Sequence, residues 1–372
     1  MTAPASLAPV KEEIERKLAL VREQMRRREL AGVLLSTQRN FAWLTDGGLH
    51  CVARGEPCGL AQLLVTDRSA FLLADGIEMP RLLTEEVGAY PWEPVEWPWY
   101  KTGAGNALRM VRGAVASDVP GDGRADAESW MAPLRYRLSP RERDRARWVG
   151  ARVAEATGDA CRAVRADGTE WDVEADVHRR LLAQGVFPYV VLIAGASRMR
   201  AFRHPLPTEA PIGAGALIIV TAARWGLHLS CSRVAWFEEP SADWRARFAA
   251  CRRVDAAFIG ETRPGRTIGQ VFRLGMDAYA REGFENEWER HHQGGMTGYA
   301  GREVFGRPGD PTPVEISQLY AWNPTIDGTK SEDTFLVTDE GPEILTVDPA
   351  WPMVEDDRGL ARPDFVRVSA AP

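Results

Sequence analysis

The sequence predicts an α+β protein in two parts. A small mixed α/β domain occupies residues 1–136, and a larger domain over residues 137–372 has helices wrapped around a curved antiparallel sheet. Three observations carry this. The opening part follows one amphipathic helix with short strand-like runs separated by Gly and Asp. A helix-start signal at Ser139-Pro140 opens a second part. Beyond it, two helices, three long apolar strands, two more helices and returning strands follow in an order that is not regular βαβ alternation.

Taken in order, residues 9–28 place Ile14, Leu18, Leu20, Val21 and Met25 on or near one helical stripe. Strand-like runs follow at Gly32–Leu35, Ala61–Thr66 and Ala70–Leu73, while the Pro- and Trp-rich stretch Tyr90–Asn106 and residues 117–128 read as loops. In Ser139-Pro140 with Glu142, a capping hydroxyl is followed by Pro in the first turn and an early acid, so a helix should run to about Val164. A second begins after Gly168-Thr169-Glu170 and ends near Gly185. Strands are expected at Tyr189–Ala194, Ala216–Ala222 and Leu227–Phe237, helices over 242–260 and 268–282, and strands over 318–326 and 331–338.

Composition narrows the function classes. A chain of 372 residues can bury two ordinary cores. A net charge of -6 leaves no basic footprint for nucleic acid. Apolar runs stay well short of the roughly 20 residues of a membrane span, and the N-terminus lacks the basic-then-apolar pattern of a signal peptide. The expectation is a cytoplasmic protein acting on a small molecule, without nucleic acid or membrane. Five cysteines without a CxxC pair read as buried thiols rather than a zinc ribbon. Thirteen tryptophans suit core, interface or pocket walls. Neither a Gly-x-Ser-x-Gly elbow nor a Walker loop nor His-Glu-x-x-His occurs.

The C-terminal runs Gln318-Leu-Tyr-Ala-Trp-Asn-Pro-Thr-Ile326, Gly328-Thr-Lys-Ser-Glu-Asp-Thr-Phe-Leu-Val-Thr338 and Glu340-Gly-Pro-Glu-Ile-Leu-Thr346 resemble the end of the creatinase, prolidase and aminopeptidase P family. Asn40-Phe-Ala-Trp-Leu-Thr45 is similar to a run in that family's small N-terminal domain. The resemblance implies a creatinase-type N-terminal domain, a "pita-bread" C-terminal domain and a homodimer, with the aromatic loop at 92–100 a candidate lid or contact. Metal-dependent relatives carry five ligands in the order Asp, Asp, His, Glu, Glu. Here Thr221 occupies the first place, and Ser230, or Ser232 with a different gap, occupies the second. Met296 in His292-Gln-Gly-Gly-Met-Thr-Gly298 falls on the third, Asn323 replaces the first Glu, and Glu332 alone matches.

Hydroxyls, a thioether and an amide are poor donors for two hard divalent ions, and one carboxylate cannot hold a dinuclear site. The expectation is therefore no metal and no cofactor. The resemblance implies His204, in Ala201-Phe-Arg-His-Pro-Leu-Pro-Thr208, as acid/base, a task that suits an imidazole. Glu332 would hold a cationic or N–H group of the substrate. His292, His228, Asn323, Arg203 and Tyr299 are the further substrate-binding candidates, with Arg198, Arg200 and Arg302 as other possible carboxylate clamps. Two functions stand side by side. One is a metal-independent enzyme acting on a C–N bond of a small amino-acid-like, amide or amidine substrate. The other is a non-catalytic binding or scaffold protein that has lost the family's ligands. A conventional Xaa-Pro peptidase is a third, lower alternative.

Overall fold

The computed structural model describes residues 5–369 apart from positions 102, 104, 106, 107, 120, 122, 357 and 358. Two compact units meet in sequence between Arg135 and Tyr136.

In the first unit, α1 (Lys11–Arg27) buries Ile14, Leu18, Val21 and Met25. The strands are β1 (Gly32–Thr37), β2 (Cys58–Thr66), β3 (Ala70–Asp75), β4 (Glu93–Trp97), β5 (Val115–Ser117) and β6 (Ala125–Asp126), with α2 (Gln38–Leu44) after β1 and α3 (Glu128–Arg135) at the end. The sheet order is β4-β3-β2-β1-β5-β6. Two stretches expected as loops therefore contain strands. β4 pairs parallel with β3 at the sheet edge, where Pro94 is tolerated because an edge position need not donate on both sides. β5 and β6 are too short for a periodic signal; β5 forms by parallel pairing with distant β1, and β6 by parallel pairing with β5.

The second unit opens with α4 (Pro140–Ala163) and α5 (Glu170–Leu182). Both start with reciprocal capping boxes, Ser139 with Glu142 and Thr169 with Asp172, which satisfy amide donors left over at a helix start. Strands β7 (Phe187–Gly195), β8 (Gly215–Arg224) and β9 (Leu227–Trp236) precede α6 (Ala242–Glu261) and α7 (Ile268–Arg281); then come β10 (Gly294–Thr297), β11 (Val304–Phe305), β12 (Leu319–Trp322), β13 (Asp333–Thr338) and β14 (Gly341–Ile344). They form a nine-stranded sheet ordered β11-β10-β12-β13-β9-β8-β7, with β14 on β13 and Val366–Arg367 on β9. This is the pita-bread arrangement. Among the described residues no helix is long and apolar enough to cross a membrane.

The strand expected over 318–326 is broken. After Trp322 the chain leaves the sheet at Asn323-Pro324, and Thr325–Ile326 pairs with Thr329–Lys330 in a separate two-strand hairpin. Gly328 takes a left-handed φ of +78° at its turn. The hairpin is held by α6, since Trp244 Nε1 donates to Gly328 O at 3.0 Å and Arg247 Nη1 to Asp327 Oδ2 at 3.1 Å.

Candidate active site

Register decides which residues share a face of the larger sheet. Thr221 lies opposite Ser230, Asp333 opposite Cys231, Ala321 opposite Thr334 and Gly295 opposite Ala321. One step along β13 from Asp333, Thr334 Oγ1 accepts from Ser230 N at 2.7 Å and donates to Ser230 O at 2.9 Å. A polar row thus crosses the sheet through Thr221, Ser230 and Thr334. Strand alternation adds His228, Ser232 and Glu332 to the same face. The opposite face carries Met296, Tyr320, Trp322 and Phe335, packed with Phe258, Val271 and Tyr279 of the covering helices.

That division corrects one expectation. Met296 is fully buried in the helix-side core, because the β10 register puts it beside Tyr320; it does not occupy a ligand place on the polar face. The neighbouring Gly295 has a φ of +142°, and a Cβ there would lie 2.2 Å from Val304 O. A side chain cannot be added without shifting backbone.

His204, His291 and His292 come together, with ring nitrogens within 4.8 Å of one another. His204 and His292 are exposed and His291 is buried. His204 Nε2 and His291 Nε2 lie 2.9 Å apart, so one ring donates and the other accepts. His292 stacks on His291 with centroids 4.5 Å apart, and its Nδ1 accepts from Gly294 N at 3.3 Å. Burial is the largest cause lowering all three pKa values. His204 lies below the usual 6.5, with nearby Lys330 lowering it further and Glu332 opposing. His291 is pushed far down, again with Lys330 next in weight. His292 is brought to about 4, aided by Arg302 and Lys330. Burial therefore favours the neutral form of all three rings.

Glu332 departs from its expected role. Arg302 Nη2 donates to its Oε1 at 3.0 Å, and Lys330 Nζ stands 3.8 Å from its Oε2. Both carboxylate oxygens face internal cations, so the side chain is not offered to a cationic group of a substrate. Lys330 is buried, donates to Asn323 O at 3.4 Å, and has its pKa lowered by that burial, with Glu332 the main opposing influence.

The other candidates divide. Thr221 and Ser230 hydroxyls hydrogen-bond each other at 2.8 Å. Asn323 is buried, and its Oδ1 has no partner among the described residues; the same holds for Ser232 Oγ, His291 Nδ1, Arg302 Nε and Arg203 Nη1. Arg203 spends Nη2 on Glu287 at 2.6 Å. His228 is half-buried, with Nδ1 2.9 Å from Gly226 O and its ring against Tyr189; burial lowers its pKa. Tyr299 is corrected: its buried hydroxyl donates to Glu142 Oε1 at 2.7 Å, at the start of α4, so the helix cap uses it. Arg198 is engaged by Glu170, and exposed Arg200 reaches Asp327. Sequence reasoning assigned no role to His291 or to Lys330. The adjacent His pair was the available signal.

The donor set does not fit two divalent ions. Two hydroxyls are paired with each other, one place is a glycine, one is an amide, and the sole carboxylate is bracketed by Arg302 and Lys330. Nor does the histidine trio offer a good alternative. Two cations stand near it, and a neutral His292 whose Nδ1 accepts a hydrogen bond carries its proton on Nε2, leaving no free lone pair.

Comparison with known proteins agrees with the fold. The sequence profile of metallopeptidase family M24 matches residues 144–339. No curated protein matches the chain. Among solved structures, the prolidase from Pyrococcus horikoshii OT3 superposes with a TM-score of 0.78 at 17% identity, covering 89% of this chain and 98% of that one. The Xaa-Pro dipeptidase from Bacillus anthracis gives 0.76 at 16%, covering 90% and 98%. The N-terminal domain of FACT complex subunit SPT16 from Cicer arietinum (chickpea) gives 0.65 at 12%, covering 90% and 96%.

Proposed function

The chain belongs to metallopeptidase family M24, and from that premise we propose that it is a hydrolase working without the family's metal pair, on a C–N bond of a small amide, amidine or amino-acid-like substrate, with His204 as acid/base. The observation that carries the reading is the exchange of roles at the polar face. No uncommitted carboxylate is present at the ligand places, while a neutral, exposed imidazole stands with Nε2 at 2.9 Å from a second neutral imidazole. His204 takes a proton from the attacking water as its oxygen bonds to the substrate carbon. It then returns that proton to the departing nitrogen as the C–N bond breaks, so water is the only co-reactant. The His291 ring fixes the orientation of His204. Asn323, Ser232 and His228 are the polar groups available to position the substrate, and Arg203 keeps one unpartnered nitrogen for it.

The test is a turnover screen of creatine-like compounds, dipeptides including Xaa-Pro, and simple amides. It uses protein treated with chelator and analysed for bound metal. Activity should survive chelation and disappear in His204→Ala with the fold intact. Activity that returns only with stoichiometric manganese, zinc or cobalt, or a fully active His204→Ala, removes the reading.

One observation favours a second reading, a binding module. The N-terminal domain of SPT16, a subunit of the FACT complex, shares the fold over 90% of this chain. No turnover and no thermal shift across the same compounds would select it.

A further inference from the structure

Around Glu332 the charge is uneven. This one carboxylate faces two cations. Arg302 Nη2 is at 3.0 Å from one oxygen, and Lys330 Nζ is at 3.8 Å from the other. Lys330's remaining contact, to Asn323 O, is 3.4 Å. Both Lys330 distances exceed the 2.7–3.2 Å of a well-made N–H···O bond. Donors are left over as well: Arg302 Nε and Arg203 Nη1 are buried without a partner among the described residues. Among the neighbouring groups, Glu303 acts on His228 and raises its pKa against the larger effect of burial. Arg203 is already matched by Glu287 and Asp255 by Arg362, and the three histidines carry no negative charge to offer.

We infer that Lys330, with Arg302, supplies at this face the positive charge that metal ions would otherwise bring, and that its ligand is an anionic oxygen: a substrate carboxylate or the oxyanion that forms at the attacked carbon. The inference rests on the polar face being the working site, as proposed above, but not on which bond is broken. It reverses the polarity expected from Glu332: the site selects anions over guanidinium or ammonium groups. An ammonium with weak internal contacts has donors to give, and a low-dielectric setting strengthens what it gives them to. The roles are separable. Glu332 positions Lys330 and Arg302 and competes with the ligand for them.

The experiment is a binding titration that needs no turnover, so it stands apart from any failure of the catalytic reading. Imidazole resonances of His204, His291 and His292 are followed while acetate, acetamide or methylguanidinium is added at constant ionic strength. Acetate should give a saturable shift, and the other two should not. Lys330→Met should weaken acetate by about tenfold or more, as expected for losing a hydrogen bond to a charged partner. Glu332→Gln should tighten it, because the competing negative charge is gone. A merely structural Glu332–Lys330 pair predicts the opposite for Glu332→Gln, namely loss of the site. Preference for methylguanidinium, no saturable acetate shift, or weaker acetate binding in Glu332→Gln overturns the inference. If Lys330→Met does not fold, the wild-type ligand series and Glu332→Gln decide it. To separate the two anion sources, substrates with and without a carboxylate are compared once turnover is found. A ground-state carboxylate makes Lys330→Met raise KM, while an oxyanion makes it lower kcat.

Discussion

Glu332 and Asp333 are adjacent in sequence and stand on opposite faces of one sheet, and their surroundings could hardly differ more. On the helix-covered face, Arg233 Nη2 meets Asp333 Oδ1 at 2.9 Å and Arg362 Nη2 meets Asp333 Oδ2 at 2.8 Å and Asp255 Oδ2 at 2.5 Å. Thr346 and Ser331 hydroxyls join the set at 2.7 and 2.6 Å. Two guanidinium groups answer two carboxylates in short contacts. On the other face, Arg302 and Lys330 both answer Glu332 and the Lys330 contacts are long. Polar atoms without a partner among the described residues occur on both faces, including Arg233 Nε, Asp255 Oδ1 and Arg362 Nη1 on the first and Asn323 Oδ1, Ser232 Oγ and Arg302 Nε on the second. A closed ion network serves architecture, since removing a member leaves buried charge uncompensated. An open one is poised for something that arrives from outside.

The largest effect should come from the open face. His204→Ala is expected to lower turnover by about 10²–10⁴-fold, the span of general acid–base catalysis, with an unchanged melting temperature. Asp333→Ala is the counterpart on the closed face. It should cost about 3–5 kcal/mol of stability by stranding Arg233 and Arg362, read by denaturant unfolding. Met296→Ala tests the assignment of faces: it should cost about 2–5 kcal/mol as a core truncation, while acetate binding stays as in wild type. Altered binding there would break the division. Lys330→Met, in contrast with Asp333→Ala, should change stability by only about 1 kcal/mol, since Glu332 keeps Arg302 and a buried ammonium is replaced by an apolar chain.

The pH dependence sharpens the comparison further. His204 works as a base when neutral, and burial, with Lys330 second, holds its pKa below 6.5. The acidic limb of kcat/KM should therefore fall below pH 6.5. Lys330→Met should move it upward and Glu332→Gln downward, because they remove opposite influences. A limb at or above pH 6.5 in the wild type would contradict the assignment.

Much of the fold was legible from local signals. Ser139-Pro140-x-Glu142 and Thr169-x-x-Asp172 announce helix starts chemically, and the long strands β7 to β9 announce themselves by apolar length. β4, β5 and β6 were missed because they are short and form by parallel pairing, β5 with far-off β1, β4 with β3 and β6 with β5. At the site, Thr221 and Ser230 could be placed from sequence, and the register sets them face to face. Met296 could not, because a one-residue shift in a glycine-rich run changes which face a side chain takes, and two consecutive positive-φ glycines hide the strand's phase. Glu332 was found as a residue, but its internal partners were not. Its identity is written in the chain, whereas Arg302 and Lys330 reach it through folding.

The hairpin that carries Lys330 has one further implication. Its four paired residues bond to each other and its turn is anchored to α6, so the larger sheet closes without it. Evolution could exchange that short cassette and reset the electrostatic character of the pocket while the surrounding scaffold keeps its shape.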